Sequence, residues 1–412
     1  MRDREPPYVE LHCHSCYSLR EGASTPVELL EQAAKLGYKA LALTDHDGLY
    51  GAMEFAREAK QRGIQPITGA EVTLQGGHHL TLLVESPRGY ANLCRLISHG
   101  RGTAFSLNQD GEAASPACTL DAHDADEAAI DPQVLARHTE GLIALSGCRR
   151  GEVPALVQAG RRAEAETAAR RYMRWFGPEG FFIELQQNFV HGDTARNAAL
   201  ADLAAHLSIE IVATNNVHYH VRERSRLHDL LVAIRHRTTL DASHRLRRAN
   251  AEFYLKPAQE MVDLFRCYPE AIRTSRRIAA RCAGFDLREH LGYEFPNYTV
   301  PEGRTPDGYL EEVCRQAMQR KYGPFEPKLR EEAEARLRQE LALIAKHRLA
   351  GFFLTYRDIL TLAGEIAHEL RGRDPSLPPD ERPVGRGRGS SVSSLVCYLI
   401  GLSHVDPVKH GL

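Results

Sequence analysis

Short apolar runs separated by amphipathic stretches with helical spacing recur along the first 220 positions of the chain. The runs at 8–12, 40–44, 65–72, 80–85, 141–146, 181–185 and 209–214 are strand candidates, bounded by residues that break regular structure. Of the helices between them the clearest covers 26–36. Thr25 and Glu28 are spaced there as a capping box, Pro26 takes the first helical position, and Gly37 is the stop. Asp193 opens another over 194–207. A strand–helix repeat favours parallel pairing, because each crossover returns the chain on the same side. About seven such units predict an α/β barrel closed by parallel strands, with an open doubly wound sheet as the alternative. Segment 108–131, rich in Ala, Asp and Ser, reads as a loop or insertion. Past residue 250 the texture turns helical and charged, with patterns at 269–283, 307–322 and 329–347 and a polar, Pro-rich loop at 371–383. The simplest division is one domain over 1–268 and a second over 269–412.

Composition narrows this little, except in one respect. A length of 412 residues suits two or three domains, and 43% hydrophobic residues suffice for buried cores. A formal net charge of -2 argues against a generic electrostatic nucleic-acid binder. The nine cysteines form an odd set scattered from Cys13 to Cys397, with no secretory leader ahead of Tyr8. The expectation is a reduced, cytoplasmic protein. No apolar run approaches the roughly 20 residues of a membrane span. The 20 histidines are what stands out, and several end apolar runs.

The candidate chemistry sits at those ends. His12 and His14 form an H-x-H pair leaving the first strand; residues two apart in an extended chain project to the same side, so both imidazoles can reach one metal. Thr44, Asp45, His46 and Asp47 end the second strand, and Glu71 ends the third. His79 opens the fourth, Cys148 follows the fifth, and Asn216 and His218 follow the last. A parallel barrel gathers its strand C-termini on one face. His, Asp, Glu and Cys gathered there could ligate zinc, manganese or iron, and two or three adjacent ions are expected, since one ion rarely needs so many ligands. Such clusters hydrolyse phosphate esters. The spacing does not decide between His78 and His79, or between His218 and His220. Cys13 and Cys16 look like a zinc or redox pair, but Cys13 alternates with the two histidines and no second pair follows.

These residues resemble a known family. LHCHSCYSLREGAS, ALALTDHDGLYGA, ITGAEVTL, HHLTLLVESPRGYANL, ALSGCRRGEV and VATNNVHYH look like successive motifs of the polymerase and histidinol phosphatase (PHP) domain. The version is the one at the N-terminus of the bacterial DNA polymerase III alpha subunit and its error-prone paralogue, with the translesion paralogue the nearer. FYLKPAQEM, YPEAI and the region 323–358 continue the likeness, and GRGRGSSVSSLVCYLIGLSHVDPV is similar to the start of that family's palm. The resemblance implies a distorted (β/α)7 barrel of PHP type, followed by a mostly helical, partial polymerase palm. It places metal ligands on His12, His14, Glu21, His46, Glu71, His79, Cys148, Asn216 and His218, and catalytic roles on His12, His14, His46 and Glu71. The family usually has aspartate where this chain has Glu21 and Asn216; the neutral Asn216 is expected to weaken one metal site. Segment 364–383 is a further departure.

Gly385 to Ser391 precede an apolar helix running to about residue 400. Glycines admit close approach of backbone amides to an anion, a helix start favours negative charge, and Arg386 and Arg388 add donors. This is not a Walker loop, whose spacing it lacks. Beside the resemblance, Gly387, Arg388, Gly389, Ser390 and Ser391 become a triphosphate-gripping loop. Only Asp406 is acidic after Gly389, so the chain is expected to lack the aspartates for two-metal nucleotidyl transfer and not to polymerise alone. The resemblance implies zinc or manganese in the PHP domain and magnesium for a complete polymerase. It implies DNA and nucleoside triphosphates as partners, with a sliding clamp and accessory mutagenesis proteins beyond them. Three functions follow: a polymerase fragment whose PHP domain hydrolyses DNA 3′ ends, a metal-stabilised scaffold without catalysis, or a small-molecule phosphatase of the histidinol phosphatase type.

Overall fold

The computed structural model describes residues 8–102, 129–291, 298–371 and 389–412. They fall into two compact units that divide after Leu291. This lies beyond the boundary at 268 expected from the change in texture. Helix Pro269–Cys282 is charged on one face, but Ile278, Ala279 and Cys282 on the other are buried with Val9, Leu11 and Val212 of the first unit. The Val9 amide also donates to Ser275 Oγ at 3.1 Å.

Among its described residues the first unit is built on a sheet of six strands in the order β1 to β6: Ala40–Leu43, Gln65–Leu74, His78–Val84, Leu142–Leu145, Phe181–Gln186 and Ile211–Thr214. β1 and β2, β4 and β5, and β5 and β6 pair in parallel. The expectation of parallel strands throughout fails at β3, which runs antiparallel to both β2 and β4. The connection explains it: Gln75, Gly76 and Gly77 join β2 to β3, and both glycines have positive φ. A turn of that length returns the chain at once, whereas a parallel crossover needs a dozen residues or more. His79 at the start of β3 therefore lies opposite Thr73 near the end of β2.

Residues 8–12, expected as the first strand, form with the two residues after them isolated bridges instead of a continuous ladder. Glu10 pairs with Leu41 and Cys13 with Val217. The Ala42 and Thr44 amides donate to Glu10 and Cys13, while Val217 N–H donates to the His12 carbonyl and His14 N–H to the Val217 carbonyl, both at 2.8 Å. One segment thus joins both edges of the sheet and closes it. The buried Glu10 carboxylate supports the irregularity by accepting from Tyr8 Oη at 2.7 Å, the His12 amide at 2.9 Å and the Asn215 amide at 3.0 Å. Inside the closed sheet, Ala42, Ile67, Leu83, Leu145, Phe182 and Val212 form one apolar cluster. The expected capping box of helix Pro26–Lys35 is present, with Thr25 and Glu28 exchanging bonds.

The second unit is helical among its described residues: Pro306–Tyr322, Pro327–Lys346, Ala350–Arg371 and a short Leu395–Leu399. The helix through Arg371 takes up the first part of segment 364–383; the rest, like most of the Pro-rich loop and of 108–131, lies outside the described residues. Leu310, Tyr322, Leu337, Leu354, Leu395 and Leu399 share its core. Asp406 is a turn residue, accepting from Tyr322 Oη and from the amides of Val408 and Lys409.

Helix Leu395–Leu399 does not follow the glycine string directly. Ser394 is its cap, and Glu340 accepts from Ser394 Oγ at 2.8 Å, Leu395 N–H at 2.9 Å and Val396 N–H at 3.0 Å. A side-chain carboxylate already satisfies the helix start that the sequence offered to phosphate. Glu340→Ala strands these donors and is expected to cost about 2 kcal/mol locally. The measurement is amide hydrogen exchange, which should speed up roughly 30-fold at Leu395 and Val396.

Candidate metal centre

Side-chain parity decides what meets at the upper end of the closed sheet. Glu71 shares the inward face of β2 with Ile67, His79 that of β3 with Leu83, and Glu184 that of β5 with Phe182. The polar residues stand above an apolar layer. Because β3 is reversed, its first residues lie beside the last residues of its neighbours, which sets Thr81 opposite Glu71 and His79 diagonally across from it on the same face.

Glu71, 1% exposed, is the hub. Its Oε1 lies 3.5 Å from His12 Nε2 and 3.3 Å from His79 Nδ1. Its Oε2 lies 3.5 Å from His14 Nε2 and 3.2 Å from His46 Nδ1. The His14 and His46 rings stack with centroids 4.5 Å apart. Cys148 Sγ stands 3.7 Å from His79 Nδ1, and Glu21 Oε2 is 2.7 Å from His46 Nε2, with Arg235 on its other oxygen. His46 and Glu21 are 18% and 20% exposed, while His12, His14 and Glu71 are buried.

A supporting layer orients the histidines. His12 Nδ1 is 2.6 Å from Glu184 Oε1, which also accepts from Gln186 Nε2 at 2.7 Å and from the Thr214 hydroxyl. A carboxylate on one ring nitrogen sets the tautomer and turns the other toward the centre. Sequence reading missed Glu184, although a carboxylate in the apolar run FFIELQ was the available signal. His14 Nδ1 is 3.2 Å from Ser18 Oγ, which donates to Asp45 at 2.7 Å. Asp45 also takes the Ser15 amide and hydroxyl, and Asp47 takes the amide and hydroxyl of Thr73. Both aspartates brace loops.

Electrostatics match this layout. Burial disfavours the Glu71 carboxylate, but His79, His12 and His46 outweigh it and hold its pKa well below the ordinary value. Burial likewise opposes protonation of His12, yet Glu184 and Glu71 carry it up to about 10. Burial, then His46, pushes His14 well down. Burial raises the Cys148 thiol.

His12 Nε2, His14 Nε2, Glu71 Oε1 and Asn216 Oδ1 are buried without a hydrogen-bond partner. Buried polar atoms are nearly always paired, so the two orphaned histidine nitrogens 3.5 Å from the Glu71 carboxylate fit a group that these atoms would share. His12, His14 and Glu71; His46, Glu71 and His79; and His14, His46 and His218 each bring ligand atoms within 4.8 Å of one another. Imidazole and carboxylate donors suit a divalent ion.

His79, not His78, enters the centre; the His78 ring lies 3.3 Å from the Arg150 carbonyl. His218 approaches His14 at 4.5 Å between ring centroids, whereas His220 sits on Ser24 Oγ. The His218 Nδ1 is 2.8 Å from the Asn216 carbonyl, and Arg248 Nη2 reaches the His218 Nε2. Arg248 is another residue the sequence left unread. Cys13 is fully buried among apolar side chains, away from Cys16 chemistry. Gly389, Ser390 and Ser391 lie in a single helical turn; Gly387 and Arg388 are outside the described residues.

Comparison with known proteins then places both units. Residues 10–188 match the PHP domain, and residues 308–412 match the bacterial DNA polymerase III alpha NTPase domain. An error-prone DNA polymerase of Symbiobacterium thermophilum is 41% identical over 98% of this chain and 35% of its own length. Another from Mycobacterium bovis is 36% identical over 98% and 35%. The DNA polymerase III subunit alpha of Treponema pallidum is 33% identical over 98% and 33%. The chain spans about a third of the length of these relatives. No described helix is long and apolar enough to cross a membrane.

Proposed function

Since this chain belongs with the bacterial error-prone DNA polymerases and polymerase III alpha subunits, joining a PHP domain to a polymerase III alpha domain, we propose that its first unit is a metal-dependent phosphoesterase acting on DNA 3′ ends. His12, His14, Glu21, His46, Glu71, His79 and Cys148 hold zinc or manganese, and His12, His14, His46 and Glu71 surround the reacting phosphate. A divalent ion in this centre supplies Lewis acidity toward a phosphoryl oxygen and acidifies water. Glu184 fixes the His12 tautomer; Asp45, through Ser18, fixes His14. What carries the reading is the set of buried, unpartnered donors around Glu71.

For the whole protein to which this chain would belong, the likeness to error-prone DNA polymerases supports a proposal of error-prone DNA synthesis on DNA and nucleoside triphosphates; magnesium, a cytoplasmic location, a sliding clamp and accessory mutagenesis proteins are parts of the same proposal. There Gly387, Arg388, Gly389, Ser390 and Ser391 grip the triphosphate through backbone amides and the guanidinium. With Glu340 on the Leu395 and Val396 amides, the short helix behind them contributes no free donors from its start.

A second reading is a metal-stapled scaffold without catalysis. The burial of His12, His14 and Glu71 favours it, since a polymer must reach the centre past His46 and Glu21. The match of 308–412 to a polymerase domain stands against a small-molecule phosphatase. The deciding assay is release of nucleotides from a labelled primer 3′ end with manganese or zinc. Release by the purified chain, abolished in His12→Ala/His14→Ala, is the expected outcome. Bound metal without release would select the scaffold.

A further inference from the structure

The His218 end of the centre differs from the Glu71 end in charge. A carbonyl oxygen only accepts, so at 2.8 Å from the Asn216 carbonyl His218 Nδ1 carries the ring proton. The lone pair of Nε2 then accepts an N–H from Arg248 Nη2. That guanidinium is held in place: its Cζ lies 4.2 Å over the Phe253 ring and its Nε is 3.4 Å from His228 Nε2. Among the described residues no carboxylate lies within ion-pair distance of Arg248, and the nearby Asp229 is taken by Arg247 at 3.1 Å. Asn216 adds a neutral amide, not a charge. A divalent ion on His218 would thus need the lone pair that Arg248 uses and would face a guanidinium that has no ion-pair partner, while Asn216 brings no charge of its own to offset either cation.

We propose that Arg248, rather than a metal ion, is the resident cation at the His218 end of the centre. Ions then occupy only the Glu71 end, where a buried carboxylate faces four histidines. A guanidinium offers a phosphate oxygen a fixed charge and forked N–H donors, but it does not acidify water. Water activation therefore belongs to the Glu71 end and anchoring of a phosphate oxygen to the His218 end. This rests on the metal-binding reading above.

The test counts manganese or zinc per chain by equilibrium dialysis and elemental analysis, in the wild type, His218→Ala, Arg248→Met and Arg248→Met/His218→Ala, with folding followed by circular dichroism. Arg248→Met frees His218 Nε2 beside the unpartnered Asn216 Oδ1. It is expected to bind one ion more than the wild type, and the double variant to lose it again. His218→Ala alone should keep the wild-type count, which needs no folded Arg248 variant. A loss of one ion in His218→Ala, or an unchanged count in a folded Arg248→Met, overturns the proposal. A wild type that binds no ion at all removes the phosphoesterase reading instead; the gain or its absence in Arg248→Met still decides this one.

Discussion

Glu71→Gln is expected to empty the centre, with affinity for manganese or zinc falling at least about 100-fold. Glu71 is the buried anion that faces four histidines at 3.2 to 3.5 Å. An amide keeps its shape but removes its charge, and one face of the group becomes an N–H donor that cannot ligate. The remaining orphaned nitrogens, His12 Nε2 and His14 Nε2, would then have to hold a divalent ion without a central counter-charge. Glu184 does not replace it, because it stands on His12 Nδ1, the ring nitrogen away from the Nε2 that faces Glu71. Metal content after dialysis and the rise in Tm on adding manganese are the two readouts. Both should vanish in Glu71→Gln while the metal-free protein still folds; a variant that retains the wild-type metal content would place the ions elsewhere.

The second large effect is on the fold itself. Gly89, in helix Pro87–Gly102, crosses Gly141 ahead of β4 so closely that a Cβ on Gly89 would lie 1.8 Å from the Gly141 carbonyl oxygen and 2.5 Å from its carbon. These are backbone atoms and cannot rotate aside. They are also engaged: the Gly141 carbonyl accepts from Glu85 N–H at 3.0 Å, and Asn92 Nδ2 donates to the Glu140 carbonyl at 2.9 Å. Gly89→Ala must therefore push the helix off the sheet and is expected to cost about 3 kcal/mol. For a unit of this size that is a fall in Tm of roughly 6–12 °C. Gly37→Ala is the matched control: its φ is +77° but nothing lies within 4 Å of the added carbon, so only the backbone preference is lost, about 1 kcal/mol. Equal losses from the two would mean that the helix can shift freely.

What the sequence by itself determined was everything governed by local pattern. Apart from 8–12, apolar runs located the strands, Thr25 and Glu28 located a helix start, and the histidines ending those runs marked the candidate centre, because alternation along a strand sets which side chains share a face. The resemblance of the motifs added Glu21 to the candidate residues and named the two families whose models match residues 10–188 and 308–412.

What only the tertiary structure decided depended on distant partners. The reversal of β3, which put His79 beside Glu71, follows from a turn too short for a crossover. Residues 8–14 became a seam because both sheet edges needed the same backbone groups. Helix Pro269–Cys282 joined the first unit because its apolar face fits the inside of the closed sheet. Glu184 and Arg248 enter the centre from 172 and 30 residues away from the histidines they hold, and Glu340 reaches its helix start from 55 residues away. No periodicity records such contacts. They arise when closure of the sheet and packing of the helices remove water from charged groups, which must then find one another.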